Sequence, residues 1–199
     1  MSQTTNMFDP ELAEAMIAGH PGAFETFAER HGALILSFSR RTCGEHAEEV
    51  MQETFLKAYQ SIKDLREPAA LKSWIYRIAV NECRKLRARD FRDKCIEVSL
   101  GDALKDAGGE GCADAFADSS EVPLDRLLQG ELKQKLEDAI LQLPDEFQVV
   151  LVLRDMEGLS TRETAEILEI GEPLVKVRLH RARLAVRDSL TQYVRAWSA

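Results

Sequence analysis

The 199-residue sequence has no Gly-rich phosphate loop, no HExxH pair and no nucleophile elbow. Its histidines, His20, His31, His46 and His180, are scattered. No residue stands out as catalytic, which argues against an enzyme. His31 reads as a hydrogen-bonded core residue. The four cysteines, Cys43, Cys83, Cys95 and Cys112, show no CxxC spacing, so free thiols in a reducing compartment are expected rather than a disulfide framework. Cys43 and His46 could be half of a metal site, but no second pair accompanies them, and neither a metal nor a cofactor is expected. Long apolar runs are also missing. The best, Phe147–Leu153, is far too short to span a bilayer. The N-terminus has neither a basic segment nor an apolar core. A cytoplasmic protein with no membrane insertion is the expectation.

Proline and glycine number only 6 and 11, and they fall where helices start and stop. Asp9-Pro10 is an N-cap and first-turn pair for a short helix ending near Gly19. Pro21 opens a second helix, with Phe24, Phe27, His31, Leu34, Ile35 and Phe38 on one face, stopped by Gly44. A third runs from about Glu45 to Ile62, with Ala47, Val50, Met51, Phe55, Ala58 and Tyr59 inward. A fourth carries Leu71, Trp74, Ile75, Ile78, Ala79 and Leu86 and fades near Phe91.

Between Glu97 and Asp125 the composition turns to glycines and eight acids against one base, Lys105. Such a segment buries too little apolar surface to fold alone. The second half is helical again. One helix begins at Pro123, Pro144 restarts the chain through Met156, and two helices follow Gly158. The fold class expected is all-α, two small helical domains joined by a flexible acidic linker: residues 9–95, a linker over 96–121, and 122–197.

Ser160-Thr161-Arg162-Glu163 is a capping box. A turn at Ile170-Gly171-Glu172 follows, and Pro173 occupies the first position of the next helix. Val175, Leu179, Ala182 and Val186 give that helix an apolar stripe. This is the layout of a helix-turn-helix. Residues 173–187 contain no acid but carry Lys176, Arg178, Arg181, Arg183 and Arg187. In a chain of net charge -8, five uncompensated bases on one helix make a local polyanion footprint. Leu174, Lys176, Val177 and Arg178 are placed to reach bases; Arg181 and Arg183 suit phosphates. His180 lies on the same DNA-facing segment.

In the first half, Glu45, Glu48, Glu49 and Glu53 make the start of the third helix acidic. That suits the helix dipole and also offers a face to a basic partner. The fourth helix and its extension carry Arg77, Arg84, Lys85, Arg87, Arg89, Arg92 and Lys94 beside Trp74, Tyr76 and Phe91, the composition of a surface on which single-strand bases stack.

The stretch Ala47–Tyr59 (AEEVMQETFLKAY), followed by Ser73–Asn81 (SWIYRIAVN), resembles conserved region 2 of the bacterial RNA polymerase sigma factors. Leu143-Pro144, with Gly158-Leu159-Ser160 through Val175–Arg183, resembles their region 4. Order and linker length resemble the small two-domain extracytoplasmic-function (ECF) group. The resemblance implies that Glu49, Gln52 and Glu53 bind the β′ clamp helices of core RNA polymerase, with the β flap as a second contact. It implies that the loop from Gln60 to Leu71 and the following helix capture and hold the −10 element, through Lys63, Arg66, Trp74, Arg77, Asn81, Arg84 and Lys85. The helix-turn-helix would read the −35 element through Leu174, Lys176, Val177, Arg178, Arg181 and Arg183. An anti-sigma factor is the expected inhibitory partner, beside promoter DNA and core polymerase. The family usually has Gly where Glu169 stands and Pro at Gly171, so here Gly171 is expected to supply the left-handed residue of the turn.

The alternatives are a helix-turn-helix regulator that does not bind core polymerase, and a helical adaptor for protein partners. The first-domain motif separates the former; a salt-dependent DNA interaction counts against the latter.

Overall fold

The computed structural model describes residues 8–97 and 123–197, with side chains over 8–89 and 131–191. The expected linker lies almost wholly outside the described residues. Those described form helices and turns, with no strand among them.

Helix α1 (Pro10–Ile17) starts as expected: the Asp9 carboxylate accepts from the Glu11 N–H at 3.0 Å, and Pro10 fills the first turn. Helix α2 (Ala23–Cys43) begins two residues later than Pro21 suggested, because Gly22 at φ 77 turns the chain first. Its inner face runs Phe27, His31, Ile35, Phe38 and Thr42, at three- and four-residue steps. Helix α3 (Ala47–Ser61) follows a single 3₁₀ turn and buries Val50, Thr54 and Ala58. Two more 3₁₀ turns, Ile62–Asp64 and Pro68–Ala70, lead into α4 (Leu71–Glu97), which runs about a turn and a half past Phe91.

In the second half come α5 (Pro123–Leu141), α6 (Asp145–Leu151) with a π-helical extension over Val152–Met156, α7 (Thr161–Leu168) and α8 (Glu172–Trp197). Gly158, at φ 67, reverses the chain before α7.

Four expectations need correction. Tyr59 points outward and is 63% exposed; α3 packs through Val50, Thr54 and Ala58, and position 59 falls beside that stripe. His31 is buried, as expected, but neither ring nitrogen has a hydrogen-bond partner. It is held by stacking on Phe8, with ring centroids 4.4 Å apart. The left-handed residue of the helix-turn-helix is Glu169 (φ 58), not Gly171, and Pro173 is the second residue of α8. Finally, Cys43 and Cys83 are joined by a disulfide, with Cα atoms 5.9 Å apart. The bond is invisible in the spacing because it joins the end of α2 to the middle of α4, 40 residues on. It also engages the thiol of the Cys43-His46 pair.

The halves are not independent beads. One buried apolar cluster runs from Phe8, just before α1, through Tyr76 in α4 and on to Leu153, Ile167 and Val186. Burial of this order, at roughly 25 cal/mol per Å² of apolar surface, dominates what holds such a packing together.

Candidate polymerase and promoter interfaces

The capping box forms in both directions. Glu163 N–H donates to the Ser160 hydroxyl at 3.1 Å, and Ser160 N–H donates to the Glu163 carboxylate at 2.7 Å. Burial pushes the Glu163 carboxyl up, but its bonds to Ser160, with help from Ser73 and Lys72, outweigh this and leave it below the usual range. Helix α8 crosses α7 and α6 with Val175, Leu179, Ala182 and Val186 buried. Its outer face presents Leu174 (42% exposed) and Val177 (48%), with Lys176 and Arg181 exposed beside them.

Not all of its bases are uncompensated. Arg178 is half-buried and pairs with Glu146 of α6 at 2.5 Å. Arg183 forms a two-pronged bond to Asp155 at 2.7 and 2.8 Å, which keeps its guanidinium more firmly charged. Arg187 meets Asp188 at 2.9 Å. The acid-free window in the sequence is real, but neighbouring helices and the next residue supply the carboxylates.

On α3, Glu49 and Gln52 are exposed and Glu53 is half-buried. They share one stripe with Leu56 (50% exposed). Glu49 is engaged by Arg89 of α4 at 3.2 Å. Glu82 lies between Lys57 and Lys85; burial raises its carboxyl, but the two ammonium groups more than offset that and lower it. Lys85, expected on DNA, therefore bonds Glu82 at 2.9 Å.

The −10 candidates divide sharply. Lys63, Arg66 and Arg84 are exposed, Asn81 is half-buried, and Trp74 packs half-buried against the core. Tyr76, placed by sequence among the stacking aromatics, is instead fully buried. Its hydroxyl donates to the buried carboxylate of Glu157. Arg77 donates to the main-chain carbonyl of Glu166 at 2.7 Å.

These last contacts belong to an interface that the sequence did not announce. The start of α4 lies against α7 and the turn before it. Lys72 donates to the Glu157 carbonyl at 2.5 Å, and Ser73 donates to Glu163 at 3.3 Å. Arg41 of α2 approaches Glu157 at 4.0 Å. Burial holds the Glu157 carboxyl above its usual range, against the pull of Tyr76, Arg41 and Lys72. Farther along α4, Arg87 pairs with Asp145 at 2.5 Å and bonds Gln148 at 2.7 Å. Asp145, Gln148, Glu157, Glu163 and Glu166 all lie in the second domain. No local pattern singles them out: Asp145, Glu157 and Glu163 read as ordinary helix-end or capping residues, and Gln148 and Glu166 as ordinary polar residues within a helix.

Two protein families match the chain: sigma-70 region 2 over residues 27–92 and sigma-70 region 4 over residues 133–186. The chain is 30% identical over 190 residues to the RNA polymerase sigma-H factor of Pseudomonas aeruginosa, covering 94% of this chain and 96% of that one. The chain belongs to the ECF sigma factors. The ECF RNA polymerase sigma-E factor of Escherichia coli K12 is similar to the same extent, 30% over 190 residues with the same shares covered. Among solved structures, CnrH in complex with the cytosolic domain of CnrY resembles this sigma factor with a TM-score of 0.60 at 22% identity, covering 92% of this chain and 97% of that one. RpoE in complex with the anti-sigma factor NepR from Bartonella quintana gives 0.63 at 20%, covering 85% and 98%. Both share its fold.

As an alternative sigma factor, the protein binds core RNA polymerase and serves transcription initiation. The region 2 match spans α3 and most of α4, with the acidic and the basic candidates, and the region 4 match spans the helix-turn-helix. The reading as a regulator that does not bind polymerase leaves the first of these matches without a purpose.

Proposed function

We propose that this sigma factor reads the −35 element through α8 and the −10 element through the 60–71 loop and α4, and that the two domains must separate to do so. The observation that carries the first part is the exposed row Leu174, Lys176, Val177 and Arg181 on the helix after a fully formed capping box. Arg178 and Arg183 join them by exchanging Glu146 and Asp155 for DNA. The second part rests on Arg77, whose guanidinium is taken up by the α7 carbonyl. A strand cannot be held there while α7 covers the start of α4.

Glu49, Gln52 and Glu53 are the polymerase contacts in this reading, with exposed Leu56 extending their stripe. An acidic rim around an apolar residue suits a basic partner surface. Lys63, Arg66, Trp74, Asn81, Arg84 and Lys85 are the −10 contacts. The domains run over 9–95 and 122–197, with 96–121 as the connection. The solved relatives bound to CnrY and NepR support an anti-sigma factor as the regulatory partner here. No described helix is long and apolar enough to cross a membrane; the protein acts in the cytoplasm, on DNA, without catalysing a reaction of its own.

Run-off transcription with purified core polymerase on a promoter library tests this reading. Discrete starts are expected only when the protein is added. Glu53→Lys is expected to abolish them while leaving the melting temperature within a few degrees of wild type. A core that neither binds the protein nor initiates overturns the assignment.

A further inference from the structure

We propose that Cys43 and Cys83 form a reversible redox site whose disulfide holds the two domains closed. Their Cα separation of 5.9 Å lies inside the range that a disulfide spans. With Val50 and Leu86 they make a small buried cluster apart from the main core. The site nevertheless has an entrance. Cys83 lines a cavity of about 770 Å³ between the domains, together with Arg84 and Arg87 on one side and Asp145 and Val149 on the other. That cavity is the route by which a peroxide would approach Cys83, which is otherwise buried.

The bond is wired to the domain contact through one main-chain carbonyl. Thr42 precedes Cys43, and its carbonyl oxygen lies 3.4 Å from the Cys83 sulfur. The same oxygen accepts from Arg87, one turn beyond Cys83 on α4. Arg87 is the residue that reaches across to Gln148 at 2.7 Å and Asp145 at 2.5 Å. The disulfide thus fixes the carbonyl, the carbonyl orients the guanidinium, and the guanidinium grips α6. With the sulfurs reduced, nothing covalent holds the end of α2 against α4, and the grip loosens.

The chemistry balances with a peroxide as oxidant. The Cys83 thiolate attacks one oxygen, the O–O bond breaks, and a sulfenic acid and one water result once a proton is taken up. The Cys43 thiol then attacks the Cys83 sulfur, the S–S bond forms and a second water leaves. Two thiols lose two electrons and two protons, and hydrogen peroxide becomes two waters. A dithiol reductant reverses the bond by exchange and is itself oxidised to a disulfide.

The regulatory consequence rests on the reading that promoter binding needs open domains. The test uses the full-length chain carrying Cys95→Ser and Cys112→Ser. It is treated with hydrogen peroxide or dithiothreitol, denatured, alkylated and weighed by mass spectrometry. Small-angle scattering and run-off transcription are run on the same samples. Peroxide is expected to remove both alkylation sites, shrink the radius of gyration and lower run-off several-fold; dithiothreitol is expected to restore all three. Cys43→Ser in the same background is expected to lose the response, and if that variant fails to fold, the two redox forms of the parent decide alone. Two alkylatable thiols after peroxide, or a disulfide that changes neither dimension nor transcription, overturns the proposal. Absence of transcript in both forms would count against the promoter reading instead, and the scattering comparison would still decide the redox site.

Discussion

Glu169 holds φ 58 at the end of α7, with its N–H donating to the Ala165 carbonyl. A side chain in the left-handed region costs about 1 kcal/mol relative to glycine. Glu169→Gly is therefore expected to raise the stability of the second domain by at most about 0.5 kcal/mol, after the added unfolded-state entropy of glycine is subtracted; a denaturant melt checks it. The sequence located this turn but assigned the left-handed geometry to Gly171, because glycine is the usual bearer of positive φ. The backbone places it two residues earlier, where sigma factors usually carry glycine.

His31 is a second residue whose burial was legible and whose bonding was not. Burial, then the nearby Arg30 charge, lowers its pKa below the ordinary 6.5. A lowered folded pKa means that the unfolded chain binds the proton more readily. The stability contributed by neutral His31 is thus full above about pH 6.5 and is lost as pH falls through the folded value. Urea midpoints are expected to fall from pH 7.5 to 5.5, and His31→Leu is expected to flatten that slope. An unchanged slope would mean that the ring charges without cost.

Among the elements, α8 shows how charge read along a helix differs from charge in space. Arg181 is exposed, so Arg181→Ala is expected to weaken duplex binding across sequences and reduce the salt slope by about 1, with stability within about 0.5 kcal/mol of wild type. Arg178 serves two masters. Arg178→Glu sets a like charge against Glu146, so both DNA affinity and melting temperature are expected to drop. Equal melting temperatures for the two variants would refute the ion pair. The same distinction governs α3, where the acidic start was legible as a dipole-matched helix end, whereas the exposure of Leu56 and Tyr59 emerged only once Val50, Thr54 and Ala58 had claimed the inner face.

For the whole molecule, the bond from Tyr76 to Glu157 is a second polar tie between the domains, beside the grip of Arg87 on α6. Tyr76→Phe keeps the buried ring but leaves the carboxylate short of a donor, a loss of about 1–3 kcal/mol. The expected result is a larger radius of gyration by small-angle scattering and tighter −10 strand binding, because the start of α4 is uncovered more often. An unchanged radius with unchanged strand binding would mean that the apolar cluster and the Arg87 contacts hold the domains without this bond.

What the sequence determined by itself is what local rules govern: the order of the helices, their ends to within a turn or two, the capping box at Ser160, and the all-helical fold. It also carried the family likeness at α3–α4 and α7–α8. Tertiary structure alone decided that Cys43 meets Cys83, that Glu146 and Asp155 quench two arginines of α8, and that α7 lies over the start of α4. These pairings join residues 28 to 90 positions apart. Short-range periodicity fixes which face of a helix is apolar, but only the packing of those faces fixes which polar groups are carried into contact at their edges.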